Sequence, residues 1–306
     1  MTVLPSAPLP VVAITAGDPS GIGPEIAVKA ASDPRVIAVC RPVIYGPHVP
    51  ADVAAFAPGV VNAASGRAAY DAIVHATSDA MAHRVDAIAT APINKAAFAA
   101  AGLHWKGHTD LLAHLCGVPS AAMMFWSDRL RVVLATVHIP LADVPRALTT
   151  AHLLDLIRLT ATSLPRFGVA APRIALAGLN PHAGEDGLLG LEDAAVIAPA
   201  VARARADGLD VHGPFPADTL FVKAARGDFD VVIAMYHDQG LVPVKLVAFG
   251  TSVNVTLGLP IIRTSVDHGT AFDIARQDKA DAGSMVEAIL LAARLAQHDR
   301  ASSTAR

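Results

Sequence analysis

Short Val/Ile-rich runs alternate with helical patterns along most of this chain, and the alternation constrains the fold more than any other feature. Helical periodicity is clearest at Arg67–Ala82, Asp193–Ala206 and Ser284–Gln297. Strands that are apolar on both faces, with helices between them, predict an α/β protein with mainly parallel sheets. The runs predicted to be strands are Val11–Thr15, Pro42–Tyr45, Asp86–Thr90, Ala121–Trp126, Arg131–Thr136, Arg173–Ala177 and Val231–Tyr236.

The pattern changes after Val244, where apolar segments follow one another with only Gly/Pro turns between them. Val244–Phe249, Val253–Leu257 and Ile261–Val266 are predicted to be strands or extended segments that close a cleft. A chain of 306 residues exceeds the usual size of a single core. We therefore expect two lobes, with a small-molecule site in the cleft between them.

Charge and composition exclude several classes of protein. A net charge of -3 gives no reason to expect a nucleic-acid or membrane partner, and no apolar run approaches the length of a membrane span. Cys40 and Cys116 lack the CxxC spacing of a thiolate site, which indicates a reducing compartment. Met1–Pro10 has no basic segment typical of a signal peptide, so we expect a cytoplasmic protein. Disorder is expected only at the N-terminus and over Ala301–Arg306.

Three histidines, His138, His182 and His237, each come after a predicted strand. The carboxyl ends of parallel strands meet at one edge of a sheet, and neutral imidazole is a good ligand for a divalent cation. One histidine in such a place is more often structural than a ligand, but three in the same placement favour a metal site. The pattern predicts a catalytic metal with coordination positions open to a substrate.

Two turns before predicted helices have free backbone amides that could face an anion. Gly17–Glu25 follows the first strand, but its glycine spacing is not that of a dinucleotide-binding fingerprint. Gly107–Asp110 precedes the predicted helix Leu111–Leu115 and places His108 and Thr109 at the helix start. The alternatives are a tight structural turn for the first segment and a simple helix N-cap role for Thr109.

Further polar residues could complete a substrate pocket. Asp218 lies in a Pro-rich segment, Gly213–Thr219, that precedes a helical pattern. Lys245, Asn254 and Arg263 recur on the successive segments near the end of the chain, and together they could clamp an anionic substrate. Each of them alone is more often a partner in a surface ion pair.

These segments, together with Val253–Pro260 and Ile262–Ala271, closely resemble the 4-hydroxythreonine-4-phosphate dehydrogenase (PdxA) family of vitamin B6 synthesis. The resemblance spans nearly the whole chain. It implies a fold like that of isocitrate and isopropylmalate dehydrogenases, with two α/β/α lobes around a cleft, and a homodimer with an active site shared between subunits. Residues 1–105 and 265–306 would form the cofactor lobe, and residues 106–264 the lobe with metal, substrate and dimer contacts.

The resemblance also implies roles for the site residues. His138 and His182 of one subunit, with His237 of the partner subunit, would bind one divalent metal, usually zinc, while related enzymes accept cobalt, nickel or magnesium. His108 and Thr109 would hold the substrate phosphate, and Lys245, Asn254 and Arg263 would complete the pocket. The adenosine half of NAD or NADP would contact a loop whose predicted binding residues are His268, Gly269, Thr270, Ala271 and Asp273.

Two departures from the family pattern are visible. Arg276-Gln277-Asp278 stands where the family usually continues with Gly-rich residues, and the chain is shorter between Tyr45 and Arg67. The shorter form resembles the sister group that acts on 4-phospho-D-threonate or 4-phospho-D-erythronate. A further branch oxidises cis-dihydrodiols and lacks the His-Thr pair, so the presence of His108-Thr109 indicates a phosphorylated substrate.

The expected reaction is metal-dependent, NAD(P)-linked oxidation of the secondary alcohol of a phosphorylated hydroxy acid. The foremost candidate is 4-phosphohydroxy-L-threonine, whose 3-oxo product would decarboxylate to 3-amino-2-oxopropyl phosphate. A divalent cation would stabilise the developing alkoxide, and Asp218, Asp238 or Lys245 would accept the proton. Two alternatives remain at this point: a hydrolase whose histidines activate water, and a non-catalytic sugar-phosphate sensor.

Overall fold

The structure, a computed structural model, describes residues 8–304, with side chains up to Ala301. The strands of this part are β1 (Val11–Thr15), β2 (Arg41–Tyr45), β3 (Ala87–Thr90), β4 (Ala122–Trp126), β5 (Arg131–Leu134), β6 (Ile174–Ala177), β7 (Val211–Phe215), β8 (Val231–Ala234), β9 (Val253–Leu257) and β10 (Ile262–Ser265). Its α-helices are α1 (Gly23–Ala31), α2 (Pro34–Val39), α3 (Pro50–Val53), α4 (Ala63–Met81), α5 (Lys95–Ala100), α6 (His108–Leu115), α7 (Val144–Ala147), α8 (Thr150–Ser163), α9 (Ala198–Ala206), α10 (Ala217–Ala225), α11 (His237–Ala248) and α12 (Gly283–Thr304).

The first of two compact units comprises the chain up to Pro119 and from Leu259 onward. Its strands lie in the order β2-β1-β3-β10, and all are parallel. Helix α12 packs on β1, β3 and β10, while α4, whose N-cap Asn62 accepts the N–H of Ser65, packs on β1 to β3. The apolar run that predicts β1 is buried because helices cover both faces of a parallel sheet.

The second unit spans Ser120–Gly258. Its strands lie in the order β9-β4-β5-β8-β6-β7. Strand β4 is antiparallel to β5 and β9, and the pairs from β5 to β7 are parallel. Helices α10 and α11 pack on β8, with a core that includes Val132, Val232, Leu220 and Leu241. Mixed α/β structure with mainly parallel strands, as the alternation predicts, is confirmed.

The structure differs from the prediction in several elements. Val244–Phe249 is not extended, because it belongs largely to α11, whose apolar side faces the core through Val244. Strand β7 was not predicted, since its His, Gly and Pro residues hide the apolar pattern. The prediction of disorder over Ala301–Arg306 is wrong as far as Thr304, where α12 ends. The disorder predicted at the extreme N-terminus, and residues 305–306, lie outside the described part of the chain.

The unit boundaries also differ from the predicted lobes, which changed at 105/106 and 264/265. The break falls instead after Pro119 and after Gly258. Strand β10 belongs to the first unit because it pairs with β3, and α6 belongs there because it packs against α4. His108, Thr109 and Arg263 therefore share one unit. In the described part of the chain, no helix is both long enough and apolar enough to span a membrane.

Candidate active site

The three histidines predicted to bind metal all follow neighbouring strands of the second unit. Strands β5, β8 and β6 lie side by side and are parallel, with Leu134 of β5 paired to Ala234 of β8. Their carboxyl ends consequently meet at one edge of the sheet. His138 follows β5, His237 begins α11 directly after β8, and His182 lies in the turn after β6.

Two of these imidazoles line one small cavity. The ring centroids of His138 and His237 are 5.6 Å apart, and the cavity of about 280 Å³ that they line also includes Asp238. The Oδ1 atom of Asp238 lies 2.7 Å from Nδ1 of His237. A carboxylate on one ring nitrogen fixes the tautomer and leaves the other nitrogen for a metal. Asp238 is thus placed to orient His237.

His182 lies in a left-handed turn. Residues 182–186 all have positive φ, with 55° at His182. This conformation costs a non-glycine residue about 1–2 kcal/mol, so the surrounding structure must impose it. Asp193, which is 1% exposed, accepts the backbone N–H groups of Leu179 at 2.8 Å and Asn180 at 3.1 Å. The buried carboxylate therefore fixes the start of the turn that presents His182.

Gln239 connects this turn with the strand end that precedes His237. Its Oε1 atom accepts the N–H of Met235, and its Nε2 donates to the carbonyl of Gly178, both at 2.7 Å. Gly178 has no room for a side chain, because an added Cβ would lie 2.8 Å from Oδ1 of Asp193. The sequence prediction missed Gln239 and Asp193. The nearness of Gln239 to His237 was a usable signal, but no local pattern links Asp193 to an earlier turn.

The imidazoles of this site suit one divalent metal ion, but a single chain brings only two of the three predicted ligands close together. In residues 8–304, no three His, Cys, Asp or Glu side chains form a group that could hold a metal ion. Zinc–nitrogen bonds are about 2.0–2.1 Å long, so the rings of His138 and His237 can both reach one ion. A catalytic zinc takes three protein ligands. Within one chain it is His138 and His237 that lie close together, whereas the resemblance implies that His138 and His182 come from one subunit.

The first unit contains a buried cation. Arg263 on β10 is 1% exposed, and its Nη2 donates to Oγ1 of Thr90 at 2.7 Å. Burial lowers the pKa of Arg263 to about 9. Thr90 was not predicted as a site residue, although a polar residue at the carboxyl end of a buried strand was a visible signal.

His108 lies close to this guanidinium at the start of α6. Burial, and then the charge of Arg263, hold the pKa of His108 well below its usual range. Its Nε2 is buried and has no hydrogen-bond partner within the described chain. A neutral imidazole can donate one hydrogen bond, so His108 and the nearby guanidinium of Arg263 are groups that suit a phosphate.

Thr109 does not cap α6, so the N-cap interpretation is wrong. The N-cap residue is Gly107, and Thr109 lies inside the first turn of the helix. Asp110 supplies the capping interactions, because its carboxylate accepts the N–H groups of Lys106 at 2.5 Å and Gly107 at 2.8 Å. The hydroxyl of Thr109 is consequently not needed for helix capping.

The hydrogen bonds within Gly17–Glu25 support the interpretation of this segment as a tight structural turn. Asp18 is fully buried, and its Oδ1 accepts the N–H of Ser20 at 2.8 Å, while its carbonyl accepts the N–H of Gly21 at 3.0 Å. Burial is the main cause that raises the pKa of Asp18. The amides of this turn are thus used by Asp18 itself.

The predicted cofactor loop, residues 268–275, lies against this turn. The N–H of Ile22 donates to the carbonyl of Thr270 at 3.0 Å, and a Cβ on Gly21 would lie 2.7 Å from the same oxygen. Nε2 of His268 is buried without a partner in the described residues, and Asp273 is exposed. A free imidazole nitrogen and a carboxylate suit the hydroxyl groups of a nucleotide. The loop residues therefore fit a dinucleotide.

The other predicted residues are dispersed over the second unit. Asp218 lies exposed in the first turn of α10, where its Oδ1 accepts the N–H of Thr219. Lys245 lies half-buried in the last turn of α11 and not on an extended segment. Asn254 lies on β9, and its Oδ1 is buried without a hydrogen-bond partner in residues 8–304.

The fold is similar to that of isocitrate dehydrogenase from Methylococcus capsulatus, with a TM-score of 0.50 and 17% identity, over 94% of this chain and 88% of that chain. The family profile described as "Pyridoxal phosphate biosynthetic protein PdxA" matches residues 25–292. The chain belongs to the PdxA family, and it is an oxidoreductase of the NAD-dependent dehydrogenase type.

Individual relatives agree with this assignment. The 4-hydroxythreonine-4-phosphate dehydrogenase of Desulforapulum autotrophicum is 47% identical over 93% of this chain and 95% of its own. The D-threonate 4-phosphate dehydrogenase of Cupriavidus necator is 44% identical over 94% of this chain and 98% of its own. The crystal structure of 4-hydroxythreonine-4-phosphate dehydrogenase from Klebsiella pneumoniae has a TM-score of 0.85 and 41% identity, over 94% of this chain and 100% of that chain.

Proposed function

We propose that this protein oxidises the secondary alcohol of a phosphorylated hydroxy acid, with NAD or NADP as hydride acceptor and one divalent metal ion. The observation that carries the substrate class is the buried guanidinium of Arg263 beside the neutral imidazole of His108. A phosphate would accept a hydrogen bond from His108 and would be attracted by the nearby guanidinium charge, whereas an uncharged substrate would gain less from that charge. Thr109 lies next to His108 with its hydroxyl available.

The first candidate substrate is 4-phosphohydroxy-L-threonine, which would give a 3-oxo acid and then 3-amino-2-oxopropyl phosphate. Its support is the family description together with the 47% identical relative. The second candidate is D-threonate 4-phosphate, because the Cupriavidus necator relative that acts on it is 44% identical over nearly its full length. Both substrates carry the phosphate that the Arg263 pocket is suited to hold.

The metal would be held by His138, His182 and His237, with zinc foremost and cobalt, nickel or magnesium as alternatives. When bound, it would polarise the alcohol oxygen and favour loss of the hydroxyl proton. Asp238 orients the ring of His237, so Asp218 and Lys245 are the remaining candidates to accept that proton. Asn254 has an unused acceptor at Oδ1 for the substrate. His268, Gly269, Thr270, Ala271 and Asp273 would contact the dinucleotide.

A homodimer would supply the missing ligand. Helix α11 begins with His237 and also carries the exposed apolar residues Val242 and Leu246, with Phe249 following at its end. Leu246 is 84% exposed and Phe249 81% exposed, and a second copy of the chain that covered this face would remove them from water. Because His138 pairs with His237 within one chain, we assign the third ligand to His182 of the partner subunit.

Reduction of the dinucleotide tests this function. Purified protein should be mixed with 4-phosphohydroxy-L-threonine, D-threonate 4-phosphate or D-erythronate 4-phosphate, each with NAD or NADP and with zinc, cobalt, nickel or magnesium. We expect metal-dependent formation of the reduced dinucleotide with at least one acid. The dephosphorylated acids serve as matched controls and should turn over poorly. Phosphate release without dinucleotide reduction would instead support a hydrolase.

A further inference from the structure

The chain just after the predicted cofactor loop adopts, at Arg276 and Asp278, a backbone conformation that favours glycine. Arg276 has φ 58° and Asp278 has φ 55°, both in the left-handed region. A side chain in this region is strained, so these two residues need compensating contacts. Both side chains make such contacts, each with a different segment of the first unit.

Arg276 ties the loop to the segment after β2. Its guanidinium donates to the carbonyls of Val53 and Phe56, which lie at the end of the short helix α3 and just beyond it. The residues that follow the cofactor loop are therefore in direct contact with the segment between β2 and α4.

Asp278 ties the loop to α1. Its Oδ1 lies 2.8 Å from Nζ of Lys29, and this contact holds the pKa of Asp278 below its usual range. Lys29 also pairs with Glu25, and Oε1 of Glu25 accepts the N–H of Ala280 at 2.9 Å. Two residues of α1 that are one turn apart, Glu25 and Lys29, thus hold both the loop end and the backbone that follows it.

Packing alone does not support this end of the loop. A cavity of about 550 Å³ lies there, lined by Pro24 and Val28 of α1, by Val53, and by Arg276 and Asp278 themselves. Where a cavity replaces packed side chains, the loop end depends on its polar contacts. The bonds made by Arg276 and Asp278 are among the polar contacts of this region, together with those that Lys29 and Glu25 make to the backbone at 278 and 280.

We propose that Arg276 and Asp278 are positioning residues that hold residues 268–275 in the dinucleotide-binding conformation before the dinucleotide arrives, and that they thereby raise its affinity. The inference rests on the proposed function. A loop that is ordered in advance loses less conformational entropy on binding, so the free energy of binding is more favourable. Neither residue needs to touch the dinucleotide for this effect.

Substitution of Arg276 by glycine removes the anchoring bonds without adding strain to the backbone. Arg276→Gly removes the bonds to Val53 and Phe56 and at the same time relaxes the left-handed backbone. Arg276→Lys retains a cationic donor, and Asp278→Gly removes the pair with Lys29. Arg67→Ala is the matched control, because Arg67 is an exposed arginine of the same unit whose ion pair with Asp71 lies away from the loop.

The readouts are the dissociation constant of NAD or NADP, measured by fluorescence titration without substrate, and hydrogen exchange of loop amides. We expect Arg276→Gly and Asp278→Gly to raise the dissociation constant about fivefold or more and to speed exchange within 268–278 alone. Arg276→Lys should fall between wild type and Arg276→Gly, and Arg67→Ala should match wild type. The Michaelis constant for the phosphorylated acid should not change.

Two results distinguish the possible failures. If Arg276→Gly and Asp278→Gly bind the dinucleotide within twofold of wild type, the positioning role is overturned while the proposed function stands. If wild type binds neither NAD nor NADP, the proposed function itself fails. Faster exchange throughout the first unit, with a lower melting temperature, would show that the residues only stabilise the unit, and this too overturns the inference.

Discussion

The imidazole rings of His138 and His237, separated by 99 positions in the sequence, have centroids 5.6 Å apart because they follow strands β5 and β8, which are paired in parallel. Thr136 strengthens this junction, since its Oγ1 donates to the carbonyl of Met235 at 2.7 Å. Two ligands of the proposed metal are thus organised within one chain. The third, His182, is presented separately by a left-handed turn.

Subunit mixing tests how the ligands are divided. If His138 and His237 act in one subunit with His182 of the partner subunit, each single alanine variant should be inactive. Mixing His138→Ala with His182→Ala should then restore activity, because one site of each hybrid dimer has all three ligands. Mixing His138→Ala with His237→Ala should restore none. Activity is measured as dinucleotide reduction after subunit exchange has been verified by mass spectrometry.

The opposite pattern would contradict our division of ligands. Rescue by His138→Ala with His237→Ala, and none with His182→Ala, would place His237 alone on the second subunit, as the family resemblance implies. Wild-type turnover after exhaustive chelation would remove the metal from the mechanism altogether.

Replacement of Arg263 by methionine should affect both stability and binding. The apolar side chain is similar in length but loses the bond to Thr90, so the unliganded protein should be less stable by roughly 1–3 kcal/mol. The same change should weaken the phosphorylated substrate roughly 100-fold, because charge-assisted hydrogen bonds are lost. Melting temperatures with and without inorganic phosphate, together with the Michaelis constant, measure both effects. An unchanged phosphate-induced shift would argue against the pocket.

Thr109→Ala probes the neighbouring hydroxyl. Because Asp110 and not Thr109 caps α6, this substitution should not destabilise the helix. We expect it to raise the Michaelis constant of the phosphorylated substrate by roughly 10- to 150-fold, the value of a hydrogen bond to a charged group. The dephosphorylated acid should be affected much less. Equal losses on both substrates would refute contact with the phosphate.

The low pKa of His108 predicts a pH dependence of stability. The unfolded chain gains a proton on this imidazole as the pH falls through about 6.5, whereas the folded protein does not, so the free energy of unfolding decreases below that pH. Above about pH 6.5, His108 is neutral in both the folded and the unfolded state, so it does not make the free energy of unfolding depend on pH. His108→Gln should remove a slope of at most about 1.4 kcal/mol per pH unit. Urea unfolding on either side of this pH measures the difference, and identical slopes in both proteins would contradict the prediction.

Asp193→Asn should weaken metal binding without loss of the fold. The amide is close in size to the carboxylate but is a poorer acceptor for the N–H groups of Leu179 and Asn180, so the turn that carries His182 should loosen. Residues that orient metal ligands typically contribute roughly 10- to 100-fold in metal affinity. Competition with a chelator measures this affinity. Asp207→Asn is the control, since Asp207 is exposed and pairs with Arg158 in the same unit; an equal loss there would show a non-specific effect.

Much of the fold was predictable because local pattern and tertiary structure agree. The run Val11–Thr15 is β1 to the residue, since an apolar stretch between turn-formers suits a strand covered on both faces. Val244–Phe249 was predicted to be extended because a short apolar run is compatible with either a strand or a helix. In the structure most of it continues α11, which begins at His237. The residue types of the site were also visible, because imidazoles at strand ends carry their chemistry in the sequence.

The sequence by itself determined the α/β class, the family and the residues capable of metal, phosphate and dinucleotide chemistry, because periodicity and side-chain chemistry are local properties. Only the tertiary structure decided which of them meet. It paired His138 with His237, placed His108 beside Arg263, and joined Arg276 to the carbonyls of Val53 and Phe56. These contacts depend on strand order and on loop positions, which arise from packing among segments distant in the chain and leave no local signature.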